Sequence, residues 1–137
     1  MIGDLLMCEF HDATFEGIAI DGLFVVHIAF SEFPCFYTTG KADVADIWMC
    51  RAELQISGAR GLTARFSADA EQWVSDLEIT SCAEEAVDPY NLVLLRGTRW
   101  LSAELRMLGN ALIRIEGGVA KLTIGDRLRF LEQTDWP

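Results

Sequence analysis

Apolar and polar residues alternate along most of this chain, and short interruptions, most of them bearing glycine, separate the alternating runs. Phe15, Gly17 and Ala19 recur at every second position before Asp21-Gly22, and Phe24, Val26, Ile28 and Phe30 do so after it. Trp48, Cys50, Ala52, Leu54 and Ile56 precede a Gly-Ala-Arg interruption at residues 58–60. Three further stripes follow toward the C-terminus: Leu101, Ala103, Leu105 and Met107; Ala111, Ile113 and Ile115; Ala120, Leu122 and Ile124. A repeat of two is the mark of a strand with one buried face, and tight glycine turns join antiparallel neighbours. The pattern predicts a mostly β protein: antiparallel hairpins and meanders forming a sandwich or a curved, barrel-like sheet.

Turn lengths predict registers. A two-residue Asp21-Gly22 loop sets Ile20 across from Leu23 and His27 across from Glu16. That register makes Phe15, Gly17, Ala19, Phe24, Val26, Ile28 and Phe30 one core face. It leaves the apolar end of the other face, Ile18, Ile20, Leu23 and Val25, in need of a cover. A three-residue turn at 58–60 sets Ile56 against Leu62, Leu54 against Ala64, and Glu53 against Arg65, where core and charge agree on one register. A three-residue loop at 108–110 and a Gly117-Gly118 turn place the last three stripes on one face, with Glu104 opposite Arg114. One or two short helices are expected: one over residues 67–77 with Ser67 as N-cap, where Trp73, Ser75, Leu77 and Ile79 also alternate like a strand, and a second over residues 2–9. Residues 82–91, with Glu84, Glu85, Asp88 and Pro89, read as an acidic connecting loop. Of the four tryptophans, Trp136 is the one expected to be exposed.

The chain has 137 residues, one domain spanning 1–137, and its hydrophobic fraction of 51% is enough to close a core without staples. No apolar run reaches membrane-spanning length, and an acid stands near the N-terminus where a secretory signal carries Lys or Arg. A soluble cytoplasmic protein that does not engage membranes is the expectation. Net charge is −10, distributed unevenly: residues 1–88 hold 16 acids against four Lys and Arg, residues 89–137 five against seven. Such a balance repels nucleic-acid phosphates and favours a basic protein partner. Arg96, Arg99, Arg106, Arg127 and Arg129 are interleaved with acids and read as solvated strand faces. Cys8, Cys35, Cys50 and Cys82 lack Cys-x-x-Cys spacing and neighbouring histidines, so structural thiols are expected and neither metal nor cofactor is implied.

Candidate chemistry is confined to four residues. His11-Asp12 is a dipeptide that supplies metal ligands in some phosphohydrolases, but this chain has only one other histidine to complete such a site, so a turn-capping role is expected. His27 and Glu16 read as a cross-strand pair that raises the imidazole pKa. No nucleophile completes a triad with them. His11, Asp12, Glu16 and His27 are therefore candidate binding residues rather than catalytic ones.

The run Phe10-His11-Asp12-Ala13-Thr14-Phe15, followed by Ile18-Ala19-Ile20-Asp21, resembles a family of small bacterial proteins. Their N-termini read aromatic or Leu, then His-Asp-Ala or His-Asp-Ser, then a hairpin. The resemblance covers residues 10–28 and implies a mostly β protein without catalytic activity, with His11 and Asp12 as marker residues. Some members are predicted immunity proteins of polymorphic toxin systems. The leading expectation is thus a non-enzymatic acidic binding protein, of immunity type, that neutralises a basic toxin partner. The alternatives are a small-molecule binding or enzymatic β domain with a pocket near His11, Glu16 and His27, and a structural homo-oligomer such as a homo-dimer.

Overall fold

The structure is a computed structural model that describes residues 3–8, 12–66, 74–81, 96–107 and 111–136. Nine strands follow in chain order: β1 (Leu5–Cys8), β2 (Thr14–Ile20), β3 (Val26–Thr38), β4 (Val44–Ser57), β5 (Gly61–Arg65), β6 (Val74–Ser81), β7 (Arg96–Met107), β8 (Leu112–Glu116) and β9 (Val119–Asp135). They form one curled antiparallel sheet in the order β1-β3-β4-β9-β7-β8-β5, with β2 also on β3 and β6 also on β7. No helix occurs among the described residues.

Both expected helices are corrected where they are described. Residues 5–8 are β1, with Leu5 opposite Tyr37 and Cys8 opposite Cys35. That stretch pairs with the end of β3 that β2 leaves free, and edge pairing satisfies its backbone as a helix would have. Of residues 67–77, those from Val74 onward belong to β6, which pairs with β7; residues 67–73 lie outside the described residues, as does the acidic 82–91 segment.

The first hairpin exists, but in another register. Ile20 faces Val26, Ala19 faces His27 and Ile18 faces Ile28, so the connection is a five-residue loop over 21–25. A bulge at Glu16 separates the Phe15↔Phe30 pair from Gly17↔Ala29 and flips which face looks inward. Phe15 is therefore buried while Ile18, not Ala19, packs on the core beyond the bulge. Phe24 leaves the core altogether. Two residues of turn could not supply what Asp21 does here: its side chain accepts from the backbone of Leu23 and Val25 (2.8 and 3.1 Å), which stabilises the longer loop.

Neither the 58–60 nor the Gly117-Gly118 interruption reverses the chain. β4 lies between β3 and β9, so no edge is left for β5. Leu62 pairs with Ile115 and Ala64 with Ile113 instead of with Ile56 and Leu54, and Arg65 pairs with Leu112 instead of Glu53. Along β7 the register runs unbroken from Arg106↔Leu112 and Ser102↔Glu116 to Arg99↔Val119 and Thr98↔Ala120. β8 and β9 are thus one strand bent at the diglycine, and β4 and β5 bend beside it at 58–60. Strands that bend together are how a sheet turns a corner and closes over its own core. Gly117 and Gly118 sit at φ 70° and 112°, and Trp100 (1% exposed) plugs the corner by donating its indole N–H to the Gly117 carbonyl at 2.8 Å.

The β7–β8 part is as the pattern predicts: Leu105 faces Ile113, Ala103 faces Ile115, and Glu104 faces Arg114. Leu101 is the exception. The register shifts between Thr80 and Ser81, opposite Ser102 and Trp100, and Leu101 lies exposed while Trp100 turns inward. Phe15, Ile28, Phe30, Phe33, Leu54, Ile56, Trp100, Leu105 and Ile113 make one core on the concave side, with Leu122 and Ile124 packed against it. Each such large side chain removed from water contributes about 1.5–3 kcal/mol. Ala45, Ile47 and Met49 are buried on the opposite face of β4. Trp136 is half-buried rather than exposed, its ring 5.8 Å from that of Phe36.

Candidate functional site

His27 projects from β3 on the outer face, and its partners are Asp21 and Glu53 rather than Glu16. Nε2 lies 2.8 Å from Asp21 Oδ2 and Nδ1 2.5 Å from Glu53 Oε1, a pair of carboxylate contacts that favours the imidazolium form. Asp21 comes from the 21–25 loop and Glu53 from β4, diagonally across from His27 through the His27↔Gln55 register. Hydrogen bonds to Asp21 and then Glu53 raise the His27 pKa above its ordinary value. The same contacts hold both carboxyls below theirs, aided at Asp21 by the Leu23 and Val25 amides and at Glu53 by Gln55. The expected raised imidazole is correct in direction, with different carboxylates as the cause. Both ring nitrogens are engaged by carboxylates, so His27 is placed to clamp the loop to β4.

Of the predicted residues, the three that are described, Asp12, Glu16 and His27, do not line one pocket. Glu16, pushed outward by the bulge, lies 3.7 Å from Arg51. Glu16, Arg51, Glu53 and Thr123 border a depression of about 250 Å³, so Glu53 is the residue that links the Glu16 and His27 sites. Asp12 stands exposed with φ 66° in the turn entering β2. His11 lies outside the described residues.

What the clamp positions is the loop between β2 and β3. Asp21 accepts at Oδ1 from two loop amides, its carbonyl accepts from Phe24 N at 3.0 Å, and its own N–H donates to the Val25 carbonyl at 3.1 Å. Phe24 is held at φ 60°, a region costing a bulky L-residue about 1–2 kcal/mol. The result is an apolar tip, with Leu23 84% exposed and Phe24 78% exposed beside a partly exposed Ile20. Asp21 and Glu53 lie at its base. The Leu-Phe dipeptide after Asp21-Gly22 was visible in the sequence, but the expected register assigned Phe24 to the core.

A second feature lies on the concave side, where β3, β4 and β9 extend beyond the core. Tyr37, Thr38, Asp46, Trp48, Arg127 and Gln133 line a cavity of about 530 Å³. The register Asp46↔Tyr37 and Asp46↔Gln133 puts three of these side by side. The Arg127 guanidinium lies 3.7 Å over the Tyr37 ring and donates to the Gly3 carbonyl at 3.2 Å. Beneath it are three free thiols, Cys8, Cys35 and Cys50, all buried as structural cysteines are; Cys82 lies outside the described residues. Tyr37 Oη is 3.6 Å from Cys50 Sγ. Hydrogen bonding with Cys35, then the Tyr37 hydroxyl and the Arg127 charge, lower the Cys50 pKa, and Cys35 is pushed up in return. Residues separated by up to 124 positions meet here, so no spacing in the sequence could have marked the site.

No protein-family model matches this chain, and no curated protein and no solved structure matches it. The class is therefore defined by the fold alone: a single curled antiparallel sheet with two bent strand pairs.

Proposed function

We propose that this is a non-enzymatic binding protein of immunity type, which captures a basic protein partner on the 21–25 loop. The observation that carries the reading is the exposed Leu23-Phe24 tip on a capped and conformationally strained loop, rooted in Asp21 and Glu53. Large apolar side chains centred in an acidic surround have the makeup of an interface hot spot with a charged rim. Holding Phe24 at positive φ lowers the ordering cost of association, because the tip needs no rearrangement to be presented. The net charge of −10, carried by the part of the chain that contains this loop, supports a cationic partner and its electrostatic capture.

The test is affinity capture at low salt from the native organism, with the native protein and a Leu23→Ser/Phe24→Ser variant side by side. A stoichiometric basic protein should be retained by the native chain, lost with rising salt, and not retained by the variant. Equal capture by the variant, or capture of acidic proteins only, refutes the reading.

A homo-dimer is the second reading, and one observation favours it. Leu128, Phe130 and Leu131 of β9 are partly exposed, and among the described residues no strand pairs with the β9 edge beyond Lys121 that faces away from β4. An open edge with apolar side chains is a template for a second copy. Sedimentation velocity at micromolar concentration decides between monomer and dimer, and a monomer removes this reading.

A further inference from the structure

The concave cavity has no part in the loop-based reading and holds chemistry of its own. Asp46 lines it, and its Oδ1 is buried without any hydrogen-bond partner. Buried polar atoms are almost always satisfied, so an orphaned carboxylate oxygen beside a cavity calls for a donor that enters from outside the chain. Arg127 lines the same cavity, and its position is fixed from two sides, by the Tyr37 ring below and the Gly3 carbonyl at one nitrogen. Stacking on a ring and one bonded N–H leave the remaining edge of the guanidinium fork for a planar anion such as carboxylate. Among the described residues neither Asp46 nor Arg127 has an ion-pair partner of its own.

We propose that this cavity is a binding site for a small zwitterion of the α-amino-acid class, its carboxylate on Arg127 and its ammonium on Asp46. A simple cation would meet the Asp46 carboxylate but be repelled by Arg127, and a simple anion the reverse. An apolar molecule would leave Oδ1 unpaired. A ligand carrying both charges satisfies both walls at once. Asp4, Thr38, Thr39 and Gln133 add polar lining, Asp4 as a second carboxylate for an ammonium group, and Trp48 supplies an aromatic wall, so polar side chains fit better than large aliphatic ones. The volume of about 530 Å³ lies within the range of small-molecule sites.

The experiment is a titration of ¹⁵N-labelled protein with each of the common free L-amino acids, read at the Trp48 indole N–H and the Arg127 Nε–H. A polar amino acid should give saturable shifts at these two groups. Its N-acetyl derivative, which lacks the ammonium, and its amide, which lacks the carboxylate, should each bind about tenfold or more weakly, the loss of one charge-assisted hydrogen bond. Asp46→Asn keeps the shape of the side chain and should weaken the parent ligand similarly while the urea midpoint stays at or above the native one. Absence of saturable shifts with every amino acid, equal binding of the truncated analogues, or unimpaired binding by Asp46→Asn overturns the proposal. The outcome is independent of the Leu23-Phe24 loop, which lies outside this cavity.

Discussion

Gly118 gives the sharpest test of the bent-strand corner. A Cβ built there would lie 2.5 Å from Ile56 Cγ2 and 3.1 Å from the Ser57 carbonyl oxygen, where carbon atoms ordinarily approach to about 3.5–4.0 Å. Ile56 is fully buried and Ser57 is backbone in β4, so neither neighbour can withdraw cheaply. Gly118 also sits at φ 112°, outside the region any L-residue adopts readily. Overpacking of about 1–3 kcal/mol and backbone strain of about 1–3 kcal/mol place Gly118→Ala near 4 kcal/mol of destabilisation. Two controls separate the causes. Gly58, at φ 71° with open space around it, should cost about 1–2 kcal/mol as alanine, from strain alone. Gly40, with ordinary φ and open space, should change stability by less than about 0.5 kcal/mol. The assay is equilibrium urea unfolding, in which Gly118→Ala should lower the midpoint by about 2 M at an m of about 2 kcal/mol/M. If Gly118→Ala is no less stable than Gly58→Ala, β8 and β9 do not form one strand bent against β4, and the closure of the core is misdescribed.

Other expectations follow from named contacts. Trp100→Phe removes the indole donor from the buried Gly117 carbonyl and should cost about 1–3 kcal/mol, read as a urea midpoint shift without change of m. The His27 clamp should stabilise the 21–25 loop fully between the ordinary carboxylate values of 3.8 and 4.5 and the ordinary imidazole value of 6.5. That stability is lost as pH rises through the raised His27 pKa, and again as pH falls through the lowered Asp21 and Glu53 pKa values. Hydrogen exchange of the Leu23 and Val25 amides across pH should trace this window, and Glu53→Gln should lower the His27 midpoint seen by NMR; an unchanged midpoint contradicts the clamp. Phe24→Gly releases a left-handed phenylalanine and should leave the free protein as stable or up to about 1 kcal/mol more so, while weakening capture of the partner.

The alternation along the chain determined the strands other than β1 and β6, their antiparallel sense, the inward stripes of β7 (Leu101 excepted) and β8, and the Glu104–Arg114 pairing. Period two is a property of each strand by itself, so it survives whatever the strand pairs with. What lies between strands is different. A glycine pair such as Gly117-Gly118 permits positive φ but does not say whether the chain reverses or only bends; that depends on which edges are already occupied. Here β3 and β9 fill both edges of β4, and β7 guides β8 into β9 without a break, so two apparent turns became corners. A single bulge at Glu16 likewise exchanged the faces of β2 and sent Glu16 to Arg51, leaving His27 to Asp21 and Glu53. The Asp46–Arg127 cavity depends on strands distant in sequence lying adjacent. Sequence fixes which way each side chain points relative to its own strand, whereas register, corners and shared sites depend on competition among strands for edges, which is settled only when all of them are assembled.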